Sequence, residues 1–361
     1  MTLAIPVVQA LQVLTVLITA PEINGVIARV ETRLQGRRGT RVLQPYYDIA
    51  KLFGKDALAP FGTGWVFLAA PLVAMTCYLT VPLLIPVLTT FPLPFGYMGD
   101  ILGGGFILAL ASFAIAIAAA STGSPYAQLG ASRAKTFGAI TEPVVLFVVF
   151  SVALVTGTDL PYALAKTVRA SADQIVRPAH LLAAAALFMV ILFETGRIPV
   201  ETHTGTNEFG MIEEARSFEP SGPYLALLRW GSSMKQLILF VILINVFIAP
   251  WGLASEGTLL AIALAILALV GKCALLGVGI AVIEDTPCRA LCPIWWPPRR
   301  RCCWSWSAPR ASPARAVGLA WTQHWDPQGR QATLAAAAGI GVGAGRRQSP
   351  PGQKPFPTET L

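Results

Sequence analysis

The chain has little charge and few side chains of the kind that ligate metals. Of its 361 residues, 13% are charged and three are histidine. The first 285 residues hold only two cysteines, Cys77 and Cys273, and no CxxC pair. This excludes the usual zinc and iron–sulfur ligand patterns from that part of the chain. Hydrophobic residues make up 54% of the sequence and the mean hydropathy is +0.61, a composition typical of multi-spanning membrane proteins.

Long apolar runs predict the fold. The first run lacks the basic segment that precedes a cleavable signal. Seven runs reach or approach the about 20 residues that cross a hydrocarbon core, and the fourth and fifth are short enough to extend into their flanks. These runs are 3–28, 65–90, 101–121, 141–157, 179–194, 236–252 and 258–283. We therefore predict an all-α, polytopic membrane helical bundle with seven spans in residues 1–285.

Basic residues indicate the orientation in the membrane. With the first loop, 29–64, in the cytoplasm, 13 basic residues lie inside and three outside, which satisfies the positive-inside rule. The N-terminus then faces out, and the central loop, 194–235, lies on the cytoplasmic face with the first loop. Two charged loops on one face suit a docking platform for a soluble partner.

The central loop is unusually acidic for a cytoplasmic membrane loop. It combines six glutamates and three arginines between residues 194 and 230: Glu194, Glu201, Glu208, Glu213, Glu214, Glu219, Arg197, Arg216 and Arg229. One interpretation is a solvated polar loop, and the other is a docking or proton-handling surface. Carboxylates beside arginine can be held ionised or released by small movements of the partner charge, and such groups often serve at functional sites.

Ionisable residues within the spans are expensive, by about 2.5–3.5 kcal/mol on insertion scales. Glu22 lies inside the first span, Glu142 opens the fourth and Lys272 lies midway along the seventh, while Glu284 and Asp285 end it. An acid at a helix end meets water, so by position alone neither Glu142 nor the terminal pair needs a functional explanation. Glu22 and Lys272 indicate a functional or ion-paired role.

A proton or ion path is the function predicted for four of these residues: Glu142, Glu194, Glu201 and Lys272. Burial destabilises the charged form of both acids and lysines, which eases proton exchange near neutral pH. The alternative is that Glu142 and Lys272 form an ion pair that only fixes helix packing. His180 and His203 are isolated in the sequence, and we interpret both as structural.

Motifs in the first loop carry a family resemblance. Residues 31–33 read ETR, residues 35–39 read QGRRG and residues 43–53 read LQPYYDIAKLF. This block resembles the ER(K/R)…QxRxGP…LQPxADxIKLF block of membrane subunit 1 of respiratory complex I. It is still more similar to the QxRRGP…LQxYxDIxKLxG form in the related subunit of formate hydrogenlyase and hydrogenase-4 complexes.

The central loop carries the same resemblance. Residues 194–201 read ETGRIPVE, similar to the family's ETxRxPxD element, and residues 207–222 read NEFGMIEEARSFEPSG, similar to the hydrogenase-type ELTMIHEA…LEYSG element. Residues 141–143, TEP, match that branch's AEP. The resemblance covers residues 1–285. The chain departs from the pattern at Thr40, Glu213 and Pro220, where the family has proline, histidine and tyrosine.

The resemblance implies a membrane anchor subunit of an oxidoreductase complex in the cell's inner membrane, with no cofactor and no catalytic or metal site of its own. Nickel–iron and iron–sulfur centres are expected in partner subunits. Those partners would be the hydrogenase large and small subunits, an iron–sulfur subunit and antiporter-like membrane subunits, with no nucleic acid. The residues expected in subunit docking are Arg37, Arg38, Asp48, Lys51, Arg197, Glu208, Glu213, Glu214 and Glu219.

Two other functions stay open at this point. One is the quinone-site subunit of a complex I-like NADH:quinone oxidoreductase, in which quinone binding is expected. The other is a stand-alone ion carrier, which broken helices and inverted repeats would favour; the sequence shows neither. The hydrogenase-type motifs in both loops favour the anchor subunit. The electron donor and the choice between protons and sodium remain open.

The character of the chain changes after Asp285. Residues 286–361 hold six of the nine tryptophans, 11 of the 28 prolines and ten basic residues against two acidic. This segment is either a disordered basic extension that touches anionic lipid or a frame-shifted translation, which we favour. Back-translating residues 295–306 and reading two bases on produces an apolar run where the family has its last, eighth membrane helix. Resequencing that finds an uninterrupted frame across codons 284–296 would contradict the frame shift.

Overall fold

The computed structural model describes residues 4–34, 36, 39–60, 63–91, 93–97, 99–158, 160–170, 177–196, 213–249, 251–255 and 257–291. In these ranges the chain is helical, without a named strand, and a single β-bridge joins Thr89 to Ala254. The prediction of an all-α, polytopic membrane bundle is confirmed. The tail from residue 292 lies outside the described residues, so its origin stays a prediction.

The helices follow one another in a simple order. They are α1 (Ile5–Leu34), α2 (Gln44–Phe53), α3 (Trp65–Leu84), α4 (Ile101–Ala120), α5 (Pro125–Thr156), α6 (Pro161–Ala170), α7 (Pro178–Glu194), α8 (Glu213–Arg216), α9 (Gly222–Ile242) and α10 (Leu259–Leu291). A 3-10 turn, Pro94–Tyr97, precedes α4, and a π-helical segment, Leu243–Ile248, continues α9.

Within the described ranges, six helices are long and apolar enough to cross a membrane: α1, α3, α4, α5, α9 with its π segment, and α10. The remaining predicted span, 179–194, is the 17-residue helix α7. It is shorter than the about 20 residues that a hydrocarbon core requires. The count of seven spans is therefore not confirmed, although every predicted apolar run contributes a helix.

Two spans begin earlier than their apolar runs. Helix α5 starts at Pro125, not near residue 141, and ends at Thr156, where Gly157, with a φ of 69°, forms a left-handed cap. Helix α9 starts at Gly222, not residue 236. Proline in the first turn favours both starts, because its missing N–H has no helical acceptor there. Both helices thereby carry charged side chains into the bundle.

Packing joins the helices into one bundle. Helix α3 packs on α4, α4 on α5, α5 on α7 and α1 on α10, while α9 contacts both α1 and α3. Helix α9 supplies much of the core, and Met234 and Phe240 are fully buried. Helix α9 therefore occupies the centre of the bundle.

The segment after α3 is irregular yet buried. Pro86 has no N–H, so the carbonyl of Pro82, four residues earlier, has no helical donor. Gln12 of α1 supplies it: its Nε2 donates to the carbonyls of Pro82 at 2.5 Å and Ile85 at 3.0 Å. Asn245 of the π segment donates to the next two carbonyls, at 3.1 and 3.2 Å. Side-chain amides thus supply the hydrogen bonds that these backbone carbonyls would otherwise receive from helical N–H groups or from water.

Candidate functional site

Glu194, the last residue of α7, forms polar contacts with two other helices. Its carboxylate accepts a hydrogen bond of 2.5 Å from the hydroxyl of Thr141 on α5 and forms an ion pair with the ammonium of Lys235 on α9. The Glu194 and Lys235 side chains are only 16% and 13% exposed. The chain turns away at Gly196, whose φ is 64°. A carboxylate is therefore held, nearly buried, where three helices meet.

Glu142, the neighbour of Thr141 on α5, provides a second carboxylate. Its Oε1 accepts a hydrogen bond of 3.0 Å from Ser112 of α4. The Ser112 hydroxyl also lies 2.9 Å from the carbonyl of Ala109. Because a hydroxyl carries one hydrogen, it can donate to only one of the two at a time. Ser112 can thus stabilise ionised Glu142 by donating to it, or accept a hydrogen bond from protonated Glu142.

Both carboxylates line one cleft, which we call the carboxylate cleft. Its polar and charged members are Ser112, Lys135, Thr141, Glu142, Glu194, Arg216 and Lys235. The cleft offers about 50 Å³ to water-sized molecules, enough for a few waters, since one water occupies about 10–15 Å³ on this scale. Among the described lining residues three cations face two carboxylates, so a proton gained or lost at either acid changes the balance of charge in the cleft.

The arrangement of α5 brings the remaining cations to the cleft. Lys135 lies seven residues before Glu142, two turns along the same helix face, and its ammonium is 4.5 Å from the centre of the Phe113 ring. Gly130 lets α8 approach α5, because a Cβ at residue 130 would lie 2.6 Å from the Cβ of Ala215. The next residue, Arg216, lines the cleft.

The predicted path residues divide into those that meet and those that do not. Glu142 and Glu194 share the carboxylate cleft. Lys272, on α10, instead donates to the carbonyls of Ala249, at 2.8 Å, and Trp251, beyond the end of the π segment. Glu142 thus bonds Ser112, and Lys272 bonds backbone; their proposed ion pair is not among the contacts of either. Glu201 lies outside the described residues.

The structure describes the side chains of only three predicted docking residues: Asp48, Lys51 and Glu219. On α2, Asp48 is half-buried and accepts a hydrogen bond of 3.0 Å from Gln44, while Lys51 is exposed. Glu219 is half-buried, and residues 213 and 214 begin α8. Outside the described residues lie Arg37, Arg38, Arg197 and Glu208. Their roles, like those of Glu213 and Glu214, stay predictions.

A tyrosine of α2 contacts the middle of α1. The Tyr46 hydroxyl donates to the carbonyl of Ile18. Burial raises the pKa of Tyr46, and the nearby negative charge of Glu22 raises it further. Glu22 itself is half-buried and lies beside a phenol that stays protonated at neutral pH.

Five polar or charged residues of the cleft were absent from the predicted site: Ser112, Lys135, Thr141, Arg216 and Lys235. Lys235 lies one residue before the apolar run that marks the sixth span, so it counted as a loop residue. The seven-residue spacing of Lys135 and Glu142 was a usable signal, because it places both on one face of any helix that includes them. The contact of Ser112 with Glu142 joins two different helices and has no signal in the sequence.

Comparison with known proteins agrees with this architecture. The NADH dehydrogenase family matches residues 7–290. Formate hydrogenlyase subunit 4 of Escherichia coli is 34% identical over 75% of this chain and 86% of its own length. Hydrogenase-4 component C of the same organism is 29% identical over 77% and 86%.

More distant relatives and a solved structure extend the comparison. NADH-ubiquinone oxidoreductase chain 1 of Balaenoptera physalus is 30% identical over 58% of this chain and 63% of its own length. A chain of the membrane-bound sulfane sulfur reductase, an archaeal respiratory membrane complex, shares the fold with a TM-score of 0.62 at 22% identity, covering 78% of this chain and 90% of that one. The protein is an integral membrane protein that belongs to the NADH dehydrogenase subunit 1 family.

Proposed function

We propose that the chain is the membrane anchor and coupling subunit of a formate hydrogenlyase-like complex with a nickel–iron hydrogenase. Its similarity to formate hydrogenlyase subunit 4 and hydrogenase-4 component C, over most of each chain, supports membership of a multi-subunit membrane complex related to complex I. The chain would link a peripheral electron-transfer arm to proton or ion translocation. Nickel–iron and iron–sulfur centres would lie in hydrogenase and iron–sulfur partner subunits.

The observation that carries the coupling role is the Glu194 carboxylate held between Lys235 and Thr141. Ionised Glu194 neutralises Lys235. When Glu194 takes up a proton, its ion pair with the ammonium is lost, and the second carboxylate, Glu142, lines the same cleft. Ionisable groups inside membrane proteins commonly mark such proton pathways.

Water and hydroxyl groups complete the proposed step. A proton that leaves Glu194 can pass through the few waters that the cleft accommodates to Glu142, whose hydrogen bond to Ser112 then reverses direction. Arg216 and Lys135 line the same cleft. A cation near an acid favours the ionised form of that acid, so each protonation depends on the positions of these cations. A partner subunit that moved one of these cations would drive the exchange.

Substitution of Glu194 tests the proposal. Glu194→Gln removes the ionisable proton but keeps the side-chain shape and an acceptor for Thr141. In the assembled complex we expect unchanged hydrogenase activity with an artificial dye and at least a tenfold loss of proton-coupled turnover in sealed vesicles. Asp100→Asn, an exposed carboxylate just before α4 that does not line the cleft, is the matched control. Full coupling in Glu194→Gln would contradict the coupling role.

A second candidate rests on the relatives named NADH-ubiquinone oxidoreductase chain 1, which are 30–32% identical over shorter stretches. In that case the chain would help to form a quinone site in a complex I-like enzyme. Hydrogen-dependent or NADH-dependent reduction of a short-chain quinone by the purified complex separates the two. Quinone reduction at the rate of dye reduction would favour this candidate over the hydrogenlyase-like one.

A further inference from the structure

Helix α7 makes polar contacts with the helix formed by α9 and its π segment at both of its ends. At one end, Glu194 pairs with Lys235. At the other, the Nε2 of His180 lies 3.0 Å from the carbonyl oxygen of Phe247. Fourteen residues separate His180 from Glu194, a distance of about 21 Å along a helix. Two polar contacts therefore tie the same two helices together at widely separated points.

The His180 contact is specific in its chemistry. A carbonyl oxygen only accepts hydrogen bonds, so Nε2 carries the proton and donates it. Phe247 is the last residue but one of the π segment, where carbonyls run out of helical donors. His180 is 5% exposed, Phe247 is 2% exposed, and their rings lie 5.2 Å apart. The imidazole thus satisfies a buried carbonyl that a shift of α7 would leave without this donor.

The surroundings of Phe247 are held firmly. Asn245 bonds the carbonyls of Pro86 and Val87, and Lys272 bonds those of Ala249 and Trp251. Between the two ends of α7, Leu187 and Ile191 are fully buried. The π segment is therefore a fixed point, and His180 is the side chain through which α7 is bonded to it.

We propose that His180 is a positioning residue for the Glu194–Lys235 pair, setting the axial position of α7 on α9 from the far end. A hydrogen bond is weakened when its atoms move apart by about half an ångström, and a helix that shifts along its axis carries all of its side chains with it. Loss of the His180 contact displaces Glu194 relative to Lys235. The inference rests on the proposed coupling function, since it assigns His180 to the same site.

Three variants of the assembled complex test this role. His180→Leu removes the donor and keeps comparable bulk, whereas His180→Gln keeps a donor, because Gln Nε2 lies the same number of bonds from the backbone as His Nε2. Gln12→Leu is the control: it also removes a buried amide that bonds backbone carbonyls, but on α1. Proton-coupled turnover in sealed vesicles is measured per unit of dye-linked hydrogenase activity.

We expect His180→Leu to lower coupling at least fivefold, His180→Gln to restore it to within twofold, and Gln12→Leu to lower the amount of complex without changing coupling per complex. Equal coupling in His180→Leu and His180→Gln would overturn the inference, as would an equal loss of coupling in Gln12→Leu. If Glu194→Gln loses coupling while His180→Leu keeps it, only this inference fails. If Glu194→Gln keeps coupling, the proposed function itself fails.

A second measurement does not depend on assembly of His180→Leu. Amide hydrogen exchange of residues 243–249 reports local opening of the π segment. We expect faster exchange in Glu194→Gln, where the ion pair no longer holds the other end of α7, and unchanged exchange in Glu142→Gln, because Glu142 lies on α5. Unchanged exchange in Glu194→Gln, or equal acceleration in both variants, would overturn the inference.

Discussion

Lys235 of α9 forms an ion pair with Glu194 of α7, and both side chains are largely buried. The sequence singled out Lys272 as the membrane lysine, yet Lys272 bonds two backbone carbonyls at the end of the π segment. The two lysines have different chemistry as a result. One neutralises a carboxylate whose charge can change, and the other stabilises carbonyls whose charge cannot.

Substituting each lysine by methionine should separate these roles. Lys235→Met leaves Glu194 buried without its ion-pair partner, which costs about 3–5 kcal/mol, and Glu194→Gln in the same chain should recover part of that loss. We expect Lys235→Met to abolish proton-coupled turnover. Thermal unfolding and coupling in sealed vesicles are the measurements.

Lys272→Met should lower stability by about 1–3 kcal/mol, because two carbonyls lose a donor, and leave coupling per assembled complex intact. Loss of coupling without loss of assembly would instead extend the proton path to Lys272, as predicted from the sequence. Lys166→Met, on the exposed face of α6, is the control for removing a lysine charge.

A proline and a tryptophan form a second testable pair. Pro21 lies inside α1 and has no N–H, so the carbonyl of Leu17, four residues earlier, lacks its helical donor. Trp230 of α9 supplies one, with Nε1 3.0 Å from the Leu17 oxygen. Trp230→Phe should destabilise the protein by about 1–2 kcal/mol. In a Pro21→Ala chain the residue-21 amide can donate, so the same change should cost less.

A thermodynamic cycle over Pro21 and Trp230 measures this dependence. Thermal unfolding of the wild type, the two single variants and the double variant provides the four corners. The Trp230 ring also packs edge-on against Phe53, and phenylalanine keeps most of that contact. Equal effects of Trp230→Phe with and without Pro21 would show that the hydrogen bond to Leu17 contributes nothing.

Hydropathy located the spans but misplaced two of their ends. Helices α5 and α9 begin about four turns before their apolar runs, because the residues before those runs include Lys135, Arg229 and Lys235. A hydropathy average over a stretch of sequence treats such charged side chains as the sign of a loop. A helix that packs against other helices can nevertheless direct them towards its neighbours. Hydropathy therefore fails for the helix segments that line the carboxylate cleft.

The two acids that come from motifs reach one cleft, whereas the lysine chosen as a lone charge does not. Glu142 and Glu194 come from short motifs in separate parts of the chain, and both reach the carboxylate cleft. Lys272 was selected only for its depth in a span, and depth says nothing about which neighbouring helix a side chain faces. Pairings between helices, such as Ser112 with Glu142, depend on the bundle's packing and are invisible in one sequence.

Gly222 marks a close approach that a side chain would disrupt. Its φ is 56°, and a Cβ there would lie 2.5 Å from the carbonyl oxygen of Asp56. Gly222→Ala should therefore cost about 1–3 kcal/mol in backbone strain, with steric displacement in addition. Gly103→Ala is the control, because nothing lies within 4 Å of a Cβ at residue 103 in α4.

The expected sign for the glycine control is opposite. Alanine in a helix interior is more favourable than glycine by about 0.5–1 kcal/mol, so Gly103→Ala should leave the protein as stable as before or slightly more so. Thermal unfolding of both variants decides. A Gly222→Ala protein as stable as the wild type would mean that α9 can start elsewhere without loss.

The last prediction concerns docking of the soluble arm. Arg37 and Arg38 are predicted on the cytoplasmic face, with the acidic loop of residues 194–219, and complementary charge at an interface sets register and encounter rate. Arg37→Ala with Arg38→Ala should reduce recovery of the hydrogenase subunits in pull-downs from membranes at least fivefold. The difference from the wild type should shrink as ionic strength rises, because salt screens the arginine charges that the wild type retains. Lys166→Ala with Arg169→Ala removes the same charge from the face predicted to lie outside, and recovery should not change. Equal recovery from both double variants would mean that the arm docks without the first-loop arginines.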